Sequence, residues 1–389
     1  MRVVSVSLRD FRTYARAEVH LGEGLTVLHG PNGAGKSNLL EALYFGCTGH
    51  PLRTRNEREL VRFGQQATRV SVTLHDGSEH HELTVGYGIG EGEERSVKRM
   101  SCDGAAVERL LDVETRPLLG VFVPDRLELL KGSPAPRRAH LDRLVAALWP
   151  PRTATRRAYA RALGQRNALL AGIRAGRASR STLPTWDSEL ARHAIALRED
   201  RERVVELLHE PFAARAAQLG LSGGAAMRYR PRSRAADVEE FVAELRERLP
   251  GELERGYGAH GPHRDELVFA RDGRELRSYG SQGELRLALL ALLLAERAVL
   301  ADCRGRTPLL LLDDVMSELD AQRRELLAHE LAGGGQSVIA TTDLTQVPGA
   351  STGRRGAERA GVGGGSSNGA DITRLRIASG AVLQEALAA

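Results

Sequence analysis

The chain has 389 residues, enough for two domains and a sizeable core, with 55 Lys and Arg against 50 Asp and Glu, a net charge of +5 and a pI near 9.3. That balance permits a polyanionic partner without requiring one, because arginine carries nearly all the positive charge and codon bias produces the same pattern. Cys47, Cys102 and Cys303 are too few and too scattered for a disulfide framework or a zinc site and suit a reducing, cytoplasmic compartment, while no signal-peptide core and no apolar run of about 18 residues predicts a membrane span.

In chain order, Val3 to Leu8 alternates as a half-exposed strand and Asp10-Phe11-Arg12-Thr13-Tyr14 follows as a turn. Leu25 to His29 is a short apolar run rich in strand formers. It leads into Gly30-Pro31-Asn32-Gly33-Ala34-Gly35-Lys36-Ser37, which fits the phosphate-binding P-loop, G-x-x-x-x-G-K-[ST]. Lys36 to Cys47 reads as a helix, with Leu39, Leu40, Leu43 and Tyr44 at helical spacing. Strand, glycine loop and helix are the arrangement the chemistry requires. Backbone N–H groups close around phosphates, the helix N-terminus adds favourable partial charge, Lys36 reaches the β- and γ-phosphates, and the Ser37 hydroxyl ligates Mg²⁺. The chain has only three lysines, and one stands here. Arg12, ahead of the P-loop strand, reads equally as a solvated charge or as a side chain reaching the phosphates.

Residues 67–107 predict antiparallel strands, with His75-Asp76-Gly77-Ser78 as a hairpin turn and Gly86 to Gly92 as a loose link. His80 and His81 read as exposed strand residues, without partners at metal-ligand spacing. Prolines and glycine at 131–138 mark a boundary. Beyond it helical stripes begin at Leu141, Trp186 and Phe241, so residues 131–255 are expected to form a helical lobe inserted into an α/β unit built from 1–130 and 256–389. Residues 152–180 hold eight arginines and no acidic residue, with Arg152/Arg156 and Arg157/Arg161 spaced i,i+4. Such a stripe is a solvated face or a phosphate-neutralising one, and the absence of acids favours the second, a surface for a polyanion.

Strands return after 256. Ser281-Gln282-Gly283-Glu284 opens an apolar helix from Leu285 to Leu300, and Leu309 to Leu312 is an apolar strand ending in Asp313-Asp314. Asp313 can hold Mg²⁺ and Asp314 can orient or deprotonate water; Asp314 is one methylene shorter than the more usual Glu, which predicts slow hydrolysis. Ser337 to Ala340 is a last buried strand, 349–370 a Gly/Ser-rich loop expected to be disordered, and Ile372 to Leu383 a closing hairpin.

The P-loop, the Ser281-Gln282-Gly283 opening, the acidic pair and Ser317-Glu318-Leu319-Asp320 together resemble ABC-type ATPase heads of the SMC kind. Asp10 to Tyr14, Lys131-Gly132-Ser133-Pro134 with Arg137 to Asp142, and Gly261-Pro262-His263-Arg264 narrow the resemblance to the RecF family, over roughly residues 1–345. The resemblance implies an ABC-type head with a mixed sheet and a short helical lobe. It implies ATP and Mg²⁺ as cofactors and an ATP-dependent homodimer with two nucleotides between heads. It implies DNA binding, and recombinase loading at single-strand gaps with a RecR-like mediator. By position, Ser281 and Gly283 act in trans on the partner's nucleotide and Asp320 couples the heads. Three positions depart from the pattern: Glu284 stands where Gln is usual, no Gln lies near Val123, and Thr342 stands near a switch histidine's place. An import-type ABC subunit is the rival, opposed by the helical lobe, the acid-free arginine run and the missing glutamine.

Overall fold

The computed structural model describes residues 1–90, 96–350 and 372–384; most of the expected 349–370 loop, from 351 on, lies outside these. Elements are numbered in chain order. The first run holds β1 (Arg2–Phe11), β2 (Tyr14–His20), β3 (Leu25–His29), α1 (Lys36–Thr48), β4 (Ala67–His75), β5 (His80–Gly88), β6 (Val97–Cys102), β7 (Ala105–Ala106) and β8 (Leu119–Phe122). The middle run holds α2 (Glu128–Lys131), α3 (Pro134–Leu148), α4 (Thr153–Arg174), α5 (Leu183–Gln218), β9 (Ala225–Arg230), α6 (Val238–Arg255), β10 (Glu266–Arg271), β11 (Arg274–Glu275), α7 (Leu276–Tyr279) and α8 (Gln282–Arg304). The last holds β12 (Leu309–Asp313), α9 (Ala321–Gly333), β13 (Ser337–Thr341), β14 (Ile372–Ala378) and β15 (Ala381–Gln384).

Two compact units result, Met1–Asp125 with Arg304–Ala389, and Arg126–Cys303. The first has two sheets. One is antiparallel, in the order β2-β1-β4-β5-β6-β7; the other runs β15-β14-β3-β13-β12-β8 and is parallel except for the β14–β15 hairpin. The strands β3, β12 and β13 are near-continuous apolar runs buried along their length, as strands covered on both faces are, whereas β4 alternates buried and open positions as a one-sided strand must. Helix α1 touches β1, β4 and β5 of one sheet and β12 and β13 of the other, which explains why it is buried almost all round. Strand β5 runs on to Gly88, through the start of the expected loose link.

The second unit is mainly helical. Helix α5 has 36 residues, a length of ~54 Å at 1.5 Å per residue, and it buries Leu190, Ala194, Leu197, Val204, Leu208 and Phe212 at helical spacing. The first strands after 256, β10 and β11, do not rejoin the first unit: β10 pairs with β9, at 225–230, in a three-stranded sheet with β11. The compact helical unit thus runs on to Cys303, past the expected end of the lobe at 255, and β10 finds its ladder partner inside it. Two motifs that carried the resemblance meet within this unit. Arg137 forks onto Glu266 at 2.6 and 3.1 Å, Arg138 donates to the Asp265 carbonyl at 2.9 Å, and Arg201 joins Asp142 at 2.9 Å and the Pro262 carbonyl at 2.8 Å. His263 meets the Tyr159 hydroxyl at 2.6 Å through Nδ1. Gly261 to Asp265 is thus a hub that ties α3, α4 and α5 together, with its polar groups satisfied as buried groups must be. No helix among the described residues is long and apolar enough to cross a membrane.

Candidate functional site

The loop from Gly30 to Gly35 links the C-terminal end of β3 to α1. Gly30 has φ 152, and a Cβ there would lie 2.1 Å from the Ile377 carbonyl oxygen; Gly35, the N-cap, has φ 114. Neither position accepts a side chain without strain, so both glycines are dictated by backbone geometry. Pro31, Asn32 and Gly33 are exposed while Ala34 is buried, so the loop's rim faces outward. Lys36 is 8% exposed and its Nζ donates to the carbonyls of Gly30 at 2.7 Å and Pro31 at 2.9 Å.

Ser37 and Asp313 come from positions 276 residues apart, yet the Ser37 hydroxyl donates to Asp313 Oδ1 at 2.9 Å. The parallel pairing of β3, β13 and β12 sets this up, because it brings the C-terminal ends of β3 and β12 to the same edge. Burial raises the Asp313 carboxyl, opposed by the Ser37 hydrogen bond. Burial lowers the Lys36 ammonium, opposed by the charges of Asp314 and Asp313. Lysine and acidic pair therefore share one field. Asp314 has φ 51, an uncommon backbone state for a residue with a side chain, and its Oδ1 is buried with no hydrogen-bond partner among the described residues. This cluster suits a hard divalent cation: a hydroxyl and a carboxylate oxygen already adjacent, with a second carboxylate oxygen unsatisfied.

The Asp10–Tyr14 turn braces the loop. Tyr14 donates to the Gly35 carbonyl at 2.9 Å and Asn38 donates to Thr13 at 3.0 Å. Arg12, expected as a candidate to reach the phosphates, instead forks onto Glu41 at 2.9 and 3.2 Å. The physical reason is that Glu41 is fully buried on α1 and needs a cationic partner there. Arg53 supplies a second cation to Glu41 at 2.9 Å, bonds Asn38 at 2.7 Å, and lies close enough to lower Asp313. Sequence reasoning missed Arg53, since nothing local distinguishes it from other arginines.

In the second unit, Ser281, Gln282 and Gly283 are exposed at the start of α8. Ser281 and Glu284 form a reciprocal capping box: the Ser281 N–H donates to Glu284 at 2.7 Å and the Glu284 N–H to Ser281 Oγ at 3.3 Å. Arg271 of β10 pairs with the same carboxylate, and Glu284 sits below the usual range chiefly through the Ser281 backbone hydrogen bond. Asp320 caps α9, accepting from the Arg323 N–H at 2.9 Å.

The RecF/RecN/SMC N terminal domain family matches residues 2–352. A Streptomyces avermitilis protein named DNA replication and repair protein RecF is 36% identical, over 91% of this chain and 97% of its own. The chain belongs to the RecF family. A RecF of the same name from Anaeromyxobacter sp. (strain Fw109-5) is 39% identical over 88% of this chain and 93% of its own. A solved structure of the recombination mediator protein RecF with ATP, from the RecFOR pathway, aligns at TM-score 0.81 and 25% identity, over 99% of this chain and 97% of that one. An SMC head bound to the C-winged helix domain of ScpA aligns at TM-score 0.58 and 16% identity, over 99% of this chain and 98% of that one, a likeness of fold alone. The expected fold, an ABC-type P-loop head with a mixed sheet and helical insertion, is the RecF fold seen here.

The arginine run of this RecF chain divides on inspection. Arg166 is fully buried between Asp187 at 2.6 Å and Glu252 at 2.7 Å, so it belongs to the core. Arg152 is exposed but pairs with Asp200 at 3.6 Å. Arg156, Arg157 and Arg161 are exposed along α4. The sequence counted arginines; only the fold separates those that pair inward from those that face outward.

Proposed function

We propose that this chain is an ATP-gated DNA-binding protein of recombinational repair, a RecF-type mediator. The observation that carries the reading is the junction of Ser37, Asp313 and Asp314, with Lys36 in the same field. The names borne by the curated relatives and by the ATP-containing RecF structure support it.

In this reading the amides of Gly33 to Lys36 and the N-terminus of α1 cradle the phosphates of ATP, and Lys36 turns its ammonium onto the β- and γ-phosphates. Ser37 Oγ and Asp313 Oδ1 would hold Mg²⁺, which when bound neutralises charge on the phosphate oxygens. Asp314 takes the proton of an attacking water; its shorter reach suits a slow ATPase that acts as a switch. The exposed Ser281 and Gly283 face outward to act on a second copy's nucleotide. Ser281 Oγ already accepts from the Glu284 N–H, which leaves its own proton to donate to a γ-phosphate. Glu284 brings a negative charge beside that position, and Arg271 offsets it. Asp320, besides capping α9, lies in the loop expected to couple the two copies. The functional head would then take in 256–303 although those residues pack with the helical unit. DNA is the polyanionic partner, with Arg156, Arg157 and Arg161 on α4 and, more weakly, the ion-paired Arg152 as candidate contacts. A RecR-like protein is the expected mediator partner and the nucleoid the site of action.

Light scattering of the purified chain with and without ATP and Mg²⁺ tests the split site. The wild type should become dimeric only with nucleotide, and Ser281→Arg should stay monomeric while retaining ATP. A dimer of Ser281→Arg that forms on ATP as readily as wild type would overturn the trans role.

A further inference from the structure

The antiparallel sheet of the first unit carries a line of arginines that no local pattern reveals. Arg16 of β2 stands directly opposite Arg9 of β1, Arg9 opposite Arg69 of β4, Arg69 opposite Gly86 of β5, and Gly86 opposite Arg99 of β6. The four arginines are exposed, and inward neighbours such as Leu8, Ala17, Val70, Val85 and Met100 face the core side. Directly opposed residues project from the same face of a sheet, so the guanidiniums form one row across five strands, ~19 Å long at ~4.8 Å per strand.

Like charges placed directly opposite each other destabilise a sheet. Here that arrangement recurs at Arg16/Arg9 and Arg9/Arg69, and compensation is sparse. Arg9 has Asp10 only at 4.0 Å, with its side chain 81% exposed, and no carboxylate pairs with Arg16, Arg69 or Arg99 among the described residues. The carboxylates on this face, Glu18 and Glu82, stand in other rows. The adjoining row is Ser7, Ser71, Thr84 and Ser101, hydroxyls across four strands, with Glu18 at its β2 end opposite Ser7. At the gap in the arginine row stands Gly86, where a Cβ would meet nothing within 4 Å. A glycine inside a strand that packing does not require marks a place where another backbone can approach closely.

The geometry points to this row as a docking surface for the sugar–phosphate backbone of duplex DNA. The inference rests on the DNA-binding reading above and gives it a location that the sequence did not suggest. Guanidiniums and hydroxyls on an open sheet face are the groups that hold phosphates and carry no sequence information. A single strand is the poorer fit, because neither row offers an aromatic side chain on which unpaired bases would stack. A duplex keeps its bases stacked and presents only phosphates and sugars.

The test is the salt dependence of binding to a labelled duplex, with ATP and Mg²⁺, for wild type, the triple variant Arg16→Ala/Arg69→Ala/Arg99→Ala, and the matching triple Lys variant. These side chains point to solvent and repel one another, so their loss should not lower the melting temperature and should leave ATP binding unchanged. The Ala variant should bind duplex ~10-fold or more weakly, with a salt slope shallower by about 3, one for each lost phosphate contact, and the Lys variant should retain the slope. If the wild type binds with an ATP-dependent gain and the Ala variant matches it in affinity and slope, the row is not the DNA surface and the functional reading stands. If the wild type shows no duplex binding with ATP, the reading itself fails and the row's assignment falls with it. An equal loss on a single-stranded thymidine oligomer would overturn the preference for duplex.

Discussion

Glu41 is fully buried and accepts from two guanidiniums, Arg12 and Arg53, whose side chains keep only 20% and 28% exposure. Burial alone would raise this carboxyl, but the hydrogen bonds from Arg12 and Arg53 outweigh it and hold it below the usual carboxylate range. A depressed folded-state pKa contributes stability that is complete above the unfolded pKa and is lost as pH falls through the folded one. Glu41→Gln should therefore lower the unfolding free energy by about 3 kcal/mol at pH 7, as loss of one member of a buried ion cluster does. The gap from wild type should narrow as pH falls below the unfolded carboxylate value of about 4.3 and close only once pH passes below the depressed folded-state value, where the wild-type carboxyl also becomes neutral. Denaturant melts of both proteins across that pH range give the measurement; a gap that stays constant into acid would contradict the assignment of the charge to Glu41. The same residue shows what sequence could not show. Its partners lie 29 and 12 positions away, on a turn and a loop with no periodicity to announce them.

At the scale of elements, α8 shows how a departure from a family pattern is accommodated. Glu284 replaces a usual Gln, yet it completes the capping box with Ser281 and is paired by Arg271. Gln can make the same reciprocal bonds, so Glu284→Gln should unfold close to wild type. Glu284→Ala loses half the box and should be less stable by ~1 kcal/mol, with an unchanged denaturant slope. The Arg271 pair is partly exposed and adds little to this. A Gln variant as unstable as the Ala variant would show that the ion pair, and not the cap, holds the start of α8. Elements of this kind were legible in advance: β3, α1, the β14–β15 hairpin and the long apolar α8 each announce themselves through periodicity and turn residues within one window. Register was not legible. Arg9 and Arg69 meet because β1 and β4 pair across 60 positions, and Ser37 meets Asp313 because β12 is set beside β13 and β13 beside β3.

At the scale of the whole molecule, the division into two units follows from where one strand finds its ladder. Strand β10 has an ordinary strand pattern, but its partner is β9, inside the helical unit, and that unit extends to Cys303. The P-loop cluster then belongs to one unit and the exposed Ser281-Gln282-Gly283 opening to the other. In the function proposed above, a site completed by a second copy of the chain would give both features a purpose and make nucleotide the natural control over any surface that two copies share. The central claim is therefore that ATP gates DNA binding. Fluorescence anisotropy of labelled duplex DNA, with and without ATP and Mg²⁺, for wild type and Lys36→Met, tests it most directly. ATP should tighten wild-type binding and Lys36→Met should lose that gain while keeping the weak nucleotide-free affinity. Equal binding by both proteins with and without ATP would contradict the account.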